Sequence, residues 1–186
     1  MDLRPIKKNA KRVIIYEGRF IRFVKHDWWE FVEHHSCTGI VIIVAMTKDQ
    51  KILFVEQYRP PVRKNVIEFP AGMVNDEQSP RRNESLLQAA QRELWEETGY
   101  QAKRMEKLTA GPILSGMSSD RMMLVWAVDI EKTGKGGGDH IESLKIHEVP
   151  LQNVEPWLRK MERKGCLIEP KIYAGLYFAH KYNCKA

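Results

Sequence analysis

One stretch of the chain, from Asn83 to Gly99, restricts the fold more than any other. Its apolar residues recur at helical spacing, and a glycine stands where the left-handed residue after a helix is favoured. The apolar positions are Leu86, Leu87, Ala90 and Leu94. Asn83 or Ser79 is available as the N-cap. The pattern predicts an amphipathic helix from about Asn83 to Thr98, and the rest of the fold must give that helix a surface to cover.

Three glutamates near the end of this helix, Glu93, Glu96 and Glu97, stand on one face in adjacent turns. Their mutual repulsion costs on the order of a few tenths of a kcal/mol per pair. A hard divalent cation would offset that cost, because Mg²⁺ prefers a few carboxylate oxygens and completes its shell with waters and substrate phosphates. Arg92 and Glu84 lie on roughly the same side, so we expect this pair to hold the helix in place without touching the metal. A solvated acidic face is the alternative.

Composition places the chain among ordinary globular proteins. Its 186 residues suffice for about one domain with its own core. Hydrophobic residues at 43% and charged residues at 29% exclude a collagen, a long disordered chain and a disulfide-rich mini-protein. The longest apolar run, Ile40–Met46, has seven residues, whereas a membrane span needs roughly eighteen. The net charge of +6 favours anionic partners such as phosphates, and we expect neither a membrane nor a nucleic-acid partner.

The cysteines and the N-terminus indicate where the protein resides. Cys37, Cys166 and Cys184 are far apart, without a CxxC pair or zinc-ligand spacing, which favours a reducing compartment. The first residues are charged and lack the apolar region of a secretory signal. We therefore expect a cytoplasmic protein.

Strand patterns surround the predicted helix. Three short stretches rich in β-branched and aromatic residues predict a small antiparallel layer at 12–16, 19–25 and 28–33. The apolar run Thr38–Met46 and the following Lys51–Gln57 predict a hairpin that begins the main sheet. Further strands are predicted at 65–69, 121–130 and 141–149, and further helices at 154–164 and 170–182. Because these elements show no βαβ rhythm, we expect a mixed sheet with helices on its faces.

Two aromatic groups and one glycine run have structural interpretations. Trp28 and Trp29 are neighbours in a predicted strand and point to opposite faces, so we expect one in the core and the other available to stack on a base. A stripe in the last helix is expected to be core and consists of Tyr173, Leu176, Tyr177 and His180. The run Lys135–Gly138 predicts a flexible loop.

The spacing from Glu84 to Tyr100 resembles the signature of the Nudix hydrolases, G-x5-E-x7-R-E-U-x-E-E-x-G-U with U apolar, at every defined place. The signature glycine best matches Gly72, which leaves eleven residues before Glu84 where the family has five, so loop 73–83 carries a six-residue insertion. The resemblance implies an α/β fold, the Nudix α/β/α sandwich with a mixed sheet, preceded by the small N-terminal antiparallel β layer. Residues 1–35 would form this layer and a dimerisation element, and residues 36–186 the catalytic domain.

Two further segments, Glu56–Pro61 (EQYRPP) and Ile67–Gly72 (IEFPAG), resemble the ADP-ribose pyrophosphatase and nucleoside-diphosphate-sugar hydrolase branch. The turn usually written Pro-Gly-apolar-Ser in that branch is Ser115–Ser118 here, without its proline. The metal ligands implied for Mg²⁺, with Mn²⁺ as a substitute, are Ala71, Glu93, Glu96 and Glu97. The substrate-binding residues implied are Trp29, Glu30, Arg59, Glu68 and Met73. Without its motif, Arg59 before two prolines would be a surface turn residue.

The general base has three candidates. The resemblance places an acidic loop before the last sheet strand, and that match falls on Glu142 or on Asp139. Glu142 has the side chain expected of the base, whereas Asp139 has the better spacing to the following strand. If both are solvated, Glu96 is the catalytic carboxylate instead.

The resemblance implies Mg²⁺-dependent hydrolysis of the pyrophosphate bond of ADP-ribose or a related nucleoside diphosphate sugar, which gives a nucleoside monophosphate and a sugar phosphate. A homodimer is the expected assembly. One alternative is a Nudix hydrolase of dinucleoside polyphosphates, coenzyme A or capped RNA. Another is a Nudix-fold nucleotide sensor without turnover, against which the intact glutamates argue.

Overall fold

The computed structural model describes residues 5–75, 83–138 and 144–183. The strands are β1 (Arg12–Glu17), β2 (Ile21–His26), β3 (Trp29–His34), β4 (Gly39–Ala45), β5 (Lys51–Arg59), β6 (Lys64–Glu68), β7 (Ala71–Val74), β8 (Tyr100–Pro112), β9 (Arg121–Lys132), β10 (Lys145–Pro150) and β11 (Leu167–Ile168). The helices are α1 (Leu86–Thr98), α2 (Val154–Arg163) and α3 (Lys171–Asn183), and a 3-10 turn (Leu151–Asn153) precedes α2. In the described part of the chain, no helix is long and apolar enough to cross a membrane.

The predicted N-terminal layer is confirmed as an antiparallel sheet in the order β1-β2-β3. It is joined to the rest of the protein by backbone hydrogen bonds, from Val32 N to the Met117 carbonyl at 2.9 Å and from Ser119 N to the Val32 carbonyl at 3.2 Å. Glu33 is buried beside this seam and accepts hydrogen bonds from Arg12, Arg22 and Ser119. The N-terminal sheet is therefore hydrogen-bonded to the segment between β8 and β9.

Two four-stranded mixed sheets form that body, in the orders β7-β4-β9-β8 and β10-β5-β6-β11. The parallel pairs are β4 with β9 and β6 with β11. Alternate residues of β4 enter different cores, because successive side chains point to opposite faces of a sheet. Val41 and Ile43 pack in one core with α1, whereas Ile42 and Val44 pack in the other with α2 and α3. This arrangement confirms the α/β/α sandwich.

The predicted hairpin of β4 and β5 is wrong. Met46, just after β4, forms one isolated bridge with Ile52 of β5, and the two strands belong to different sheets. β4 already has β7 on one side and β9 on the other, so it has no open edge for β5. β7 and the long β8 were not predicted.

Three local expectations also need correction. Ser85, not Asn83 or Ser79, caps α1: its Oγ accepts from Gln88 N, and the Gln88 side chain returns to Ser85 N. Ser79 lies outside the described residues. Trp28 is not in the core, because it lies in the turn between β2 and β3 and is only half-buried.

The stripe predicted as core in the last helix is largely exposed, with Tyr173 at 53% and Tyr177 at 63% relative accessibility. The buried face of α3 is offset from that stripe and carries Ile172 and Ala179. Gly175 lies on this face, where a Cβ would stand 2.2 Å from the Phe69 ring. The close approach of α3 to Phe69 therefore selects the buried face.

Candidate active site

The contact between α1 and β7 centres on Gly72 and Glu93. A Cβ on Gly72 would stand 1.9 Å from Cδ and 2.1 Å from Oε1 of Glu93, far inside van der Waals distance. The Glu93 carboxyl group therefore lies directly over the backbone of Gly72. The glycine that best matched the sequence signature is the residue on which this glutamate rests, in spite of the insertion that follows it.

The Arg92 side chain links α1 to β7 and to Glu84, which lies just before the helix. Its guanidinium donates to both carboxylate oxygens of Glu84, at 2.8 and 3.2 Å, and to the Met73 carbonyl at 3.2 Å. Nη1 donates to Glu93 Oε1 at 2.8 Å and to Glu96 Oε2 at 2.9 Å. Burial alone would lower the Arg92 pKa, but the surrounding carboxylates raise it above its usual value. The structure thus brings Arg92 and Glu84 together. These hydrogen bonds connect α1 to β7 and to the residues just before the helix.

The residues that match the signature, together with Ala71, are called the box: Ala71, Gly72, Glu84, Arg92, Glu93, Glu96 and Glu97. The three glutamates of the box on α1 differ in exposure. Glu97 is buried, and its Oε2 accepts a hydrogen bond from Ala71 N at 3.2 Å. The Glu96 side chain is 39% exposed at the rim, whereas that of Glu93 is 13% exposed. The structure therefore places Ala71, Glu93, Glu96 and Glu97 around the junction of α1 and β7.

This donor set is chemically suited to a hard cation. It offers carboxylate oxygens and main-chain carbonyls, which are the ligands that Mg²⁺ takes in proteins. Across the described ranges, no three Asp, Glu, His or Cys side chains converge into a ready metal site. Arg92 holds one oxygen each of Glu93 and Glu96, so these carboxylates would reorient when a cation binds.

Asn75, which the sequence reasoning missed, is hydrogen-bonded to Glu84 and so joins the described residues on the two sides of segment 76–82. Its Oδ1 accepts from Glu84 N at 2.7 Å, and its Nδ2 donates to the Glu84 carbonyl at 3.2 Å. Nδ2 also lies 3.1 Å from Thr38 Oγ1. Asn75 has φ of +54°, a conformation that asparagine tolerates better than most residues. The approach to α1 is therefore fixed on both sides of the insertion, and a polar residue able to take a positive φ is the signal that could have indicated it.

The glycine run after β9, predicted as a flexible loop, is hydrogen-bonded to the end of α1. Gly137 N donates to the Glu97 carbonyl at 2.7 Å, and Gly138 N approaches the Glu96 carbonyl at 3.2 Å. Gly136 has φ of +66°, and a Cβ there would stand 2.3 Å from the Thr98 carbonyl carbon. These glycines satisfy carbonyls at the end of α1 that helix geometry leaves without partners.

The predicted general bases Glu142 and Asp139 lie outside the described residues. The residues that flank them are described. Gly138 is held at the end of α1, and Leu144 N donates to the Gly137 carbonyl at 3.3 Å. Gly138 and Leu144, the described residues on either side of segment 139–143, therefore both lie near the C-terminal end of α1.

A second polar group lies on the neighbouring sheet. Glu68 is buried, and its Oε2 accepts from Arg59 Nε at 2.9 Å and from Gln57 Nε2 at 3.1 Å. Glu68 precedes the Phe69-Pro70 link into β7, so this group adjoins the Ala71 end of the box. The Arg59 side chain is 41% exposed, which makes it a cation fixed by a buried carboxylate and open to an anion.

Trp29 and Glu30 lie in the N-terminal sheet. Trp29 Nε1 donates to the Gly116 carbonyl at 3.1 Å, and the ring borders a cavity of about 350 Å³. The cavity is also lined by Phe31 and Met117. Glu30 is exposed, and its carboxylate is 4.0 Å from Lys25 Nζ. Trp29 is thus paired with the Ser115–Ser118 turn, whereas Met73 contributes its carbonyl to the box.

Comparison with known proteins places these features in context. The NUDIX domain profile matches residues 35–165. A methanol dehydrogenase activator of Bacillus methanolicus is 30% identical over 164 residues, which cover 83% of this chain and 84% of that protein. An ADP-ribose pyrophosphatase of Bacillus subtilis is 32% identical over 158 residues, which cover 84% and 79%. A solved structure, an ADP compounds hydrolase, matches with a TM-score of 0.67 over 92% of this chain and 91% of that chain; at 19% identity this similarity supports the fold alone.

Proposed function

The chain belongs to the NUDIX family and is a pyrophosphohydrolase, and we propose that it hydrolyses ADP-ribose or a related nucleoside diphosphate sugar with Mg²⁺ as cofactor. The products would be a nucleoside monophosphate and a sugar phosphate. The observation that carries this proposal is the Glu93 carboxyl group lying on Gly72, because it joins the glycine and glutamate of the signature in space. The similarity to an ADP-ribose pyrophosphatase supports the substrate class.

The box residues would hold the metal, which supplies charge neutralisation of the diphosphate and a polarised water. Glu93, Glu97, Glu96 and the Ala71 carbonyl are the proposed ligands. Arg92 and Glu84 fix the helix on which those ligands stand, since their bidentate pair is nearly enclosed by protein. The protein thus provides carboxylate and carbonyl oxygens as ligands rather than a nucleophile of its own.

The Arg59–Glu68 pair would bind a substrate phosphate. Arg59 uses Nε on Glu68, so its terminal nitrogens stay available for the bidentate contacts that guanidinium groups make with phosphate. Trp29 would stack on the base at the cavity beside Gly116. Because stacking on a remote base is largely uniform binding, Trp29→Ala should raise KM and leave kcat nearly unchanged.

The general base is proposed on segment 139–143, at Glu142 or Asp139, with Glu96 as the alternative. Before that segment, Gly137 N and Gly138 N donate to the Glu97 and Glu96 carbonyls, and after it Leu144 N donates to the Gly137 carbonyl. A carboxylate that is not occupied by metal is suited to take the proton of the attacking water.

We further propose that the active assembly is a homodimer. β1 is an edge strand whose residues are all exposed, and its apolar run Val13–Tyr16 ranges from 48% to 70% relative accessibility. Exposed apolar edge strands pair readily with another chain. Pairing with a second copy would cover this edge.

The substrate assignment is tested by a panel of nucleotides. ADP-ribose, GDP-mannose, a dinucleoside polyphosphate, coenzyme A, capped RNA and nucleoside triphosphates are incubated with Mg²⁺, and the nucleoside monophosphate released is measured. Glu97→Gln protein, prepared in the same way, controls for contaminating hydrolases. We expect the highest kcat/KM on ADP-ribose or another nucleoside diphosphate sugar. Preferred turnover of any other class would overturn the assignment.

A further inference from the structure

Four charged side chains, two carboxylates between two cations, lie along the β5-β6-β11 sheet and the start of α3. β11 pairs in parallel with β6 in the register Ile168 with Ile67, and Glu169 N donates to the Ile67 carbonyl at 3.0 Å. Residues in register on neighbouring strands point to the same face, so Glu169 stands beside Glu68. Two carboxylates therefore lie next to each other at the end of β6.

Both carboxylates are largely enclosed and each has its own cation. The Glu68 side chain is 11% exposed and accepts from Arg59, whereas that of Glu169 is 17% exposed and pairs with Lys171. Glu169 also interacts electrostatically with Glu68 and with Arg59. Burial raises the pKa of Glu169, and Glu68 adds to that effect, while Lys171 and Arg59 oppose it. The order across the sheet is Arg59, Glu68, Glu169, Lys171, and the four charges balance.

We propose that Lys171 is a positioning residue for the phosphate site: by holding the Glu169 carboxylate, it leaves Arg59 committed to Glu68 alone and open to a diphosphate. This inference rests on the proposed function, since it assigns Arg59 to the substrate. Without Lys171, the uncompensated Glu169 carboxylate would attract Arg59, whose charge already acts on it. A guanidinium that pairs with two carboxylates attracts a phosphate less strongly, because the second carboxylate repels the phosphate, and it has fewer donors left for it.

Lys171→Met should therefore raise KM for ADP-ribose about five- to tenfold, with kcat within about twofold of wild type. Adding Glu169→Gln to Lys171→Met should return KM to within about twofold of wild type, because no carboxylate then competes for Arg59. Glu169→Gln alone should leave KM unchanged or lower it. The matched control is Arg159→Met, which removes a cation from an exposed pair with Glu155 on α2 and should leave KM unchanged.

The inference is overturned if Lys171→Met keeps the wild-type KM, if the double variant stays as weak as Lys171→Met, or if Glu169→Gln alone raises KM. A loss of structural stability common to both Lys171 variants would not produce the rescue. The ¹H–¹⁵Nε NMR signal of Arg59, assigned with Arg59→Lys protein, gives a readout without substrate. It should shift in Lys171→Met and return in the double variant. Wild-type protein could fail to turn over nucleoside diphosphate sugars while the Nε signal shifts and returns as described. In that case the proposed substrate is wrong, and the inference that Lys171 controls the pairing of Arg59 is retained.

Discussion

Replacing Gly72 by alanine places a methyl carbon where the Glu93 carboxyl group now lies. The new Cβ would be 1.9 Å from Glu93 Cδ and 2.4 Å from Cγ. Carbon atoms in contact are separated by about 3.5–4.0 Å, so the glutamate must move by more than 1 Å. The side chain can leave only by changing rotamer, since the Gly72 backbone is fixed in β7 opposite Val41.

Two energetic terms follow from that displacement. Overpacking in a well-packed site costs about 1–3 kcal/mol. Loss of the 2.8 Å charge-assisted hydrogen bond between Arg92 and Glu93 costs about 1.5–3 kcal/mol more. For a domain of this size each kcal/mol lowers Tm by roughly 2–4 °C. We expect Gly72→Ala to lower Tm by about 5 °C or more and to reduce kcat about a hundredfold, because a 1 Å misplacement of a proposed metal ligand has that effect.

The assay compares kcat on ADP-ribose across a Mg²⁺ titration with Tm from calorimetry. Gly111→Ala is the matched control, because a Cβ at Gly111 meets nothing within 4 Å. The control should change neither quantity appreciably. Wild-type kcat and Tm in Gly72→Ala would refute the reasoning that Gly72 positions Glu93. A fall in Tm with full kcat at saturating Mg²⁺ would separate the packing role from the proposed ligand role.

Four further predictions concern other parts of the molecule. Glu97→Gln should remain folded, since the amide oxygen can still accept from the neighbouring backbone N–H, but should lose most Mg²⁺-dependent turnover; undiminished kcat at saturating Mg²⁺ would contradict the ligand assignment. At least one of Glu142→Gln and Asp139→Asn should reduce kcat about a hundredfold, and near wild-type kcat in both would exclude a base on that segment. Burial works to raise the pKa of Glu33, but hydrogen bonds from Arg22, Ser119 and Arg12 outweigh it and hold the pKa below the ordinary 4.5. Its stabilising contribution is therefore present above pH 4.5 and lost as the pH falls through the lower folded-state value, so calorimetric Tm should fall less steeply below that pH in Glu33→Gln than in wild type. Sedimentation should give a dimer mass at micromolar concentration and a monomer for Ile14→Lys, and a wild-type monomer would contradict pairing through β1.

The residues of the box were readable from the sequence because their information is local. Arg92, Glu93 and Glu97 stand at fixed separations on a regular helix, and 3.6 residues per turn places them on neighbouring turns. Glu84 lies just before the N-cap of that helix, where it still reaches Arg92. Gly72 lay outside that helix and was found only through the resemblance. Its physical role became apparent from the carboxyl group that occupies the space of its missing Cβ.

Tertiary structure decided what local patterns leave open. A continuous apolar strand such as β4 gives no indication of its partners, so the sequence suggested the next strand along the chain, whereas β7 and β9 had taken both edges. Two faces of α3 offered apolar side chains, and the close packing of Gly175 on Phe69 selected one of them. Pairing and burial depend on residues distant in the sequence, while helical periodicity depends on near neighbours. For that reason the sequence determined the helix that carries the box glutamates, and only the assembled sheets determined that Glu169, with its partner Lys171, stands beside Glu68.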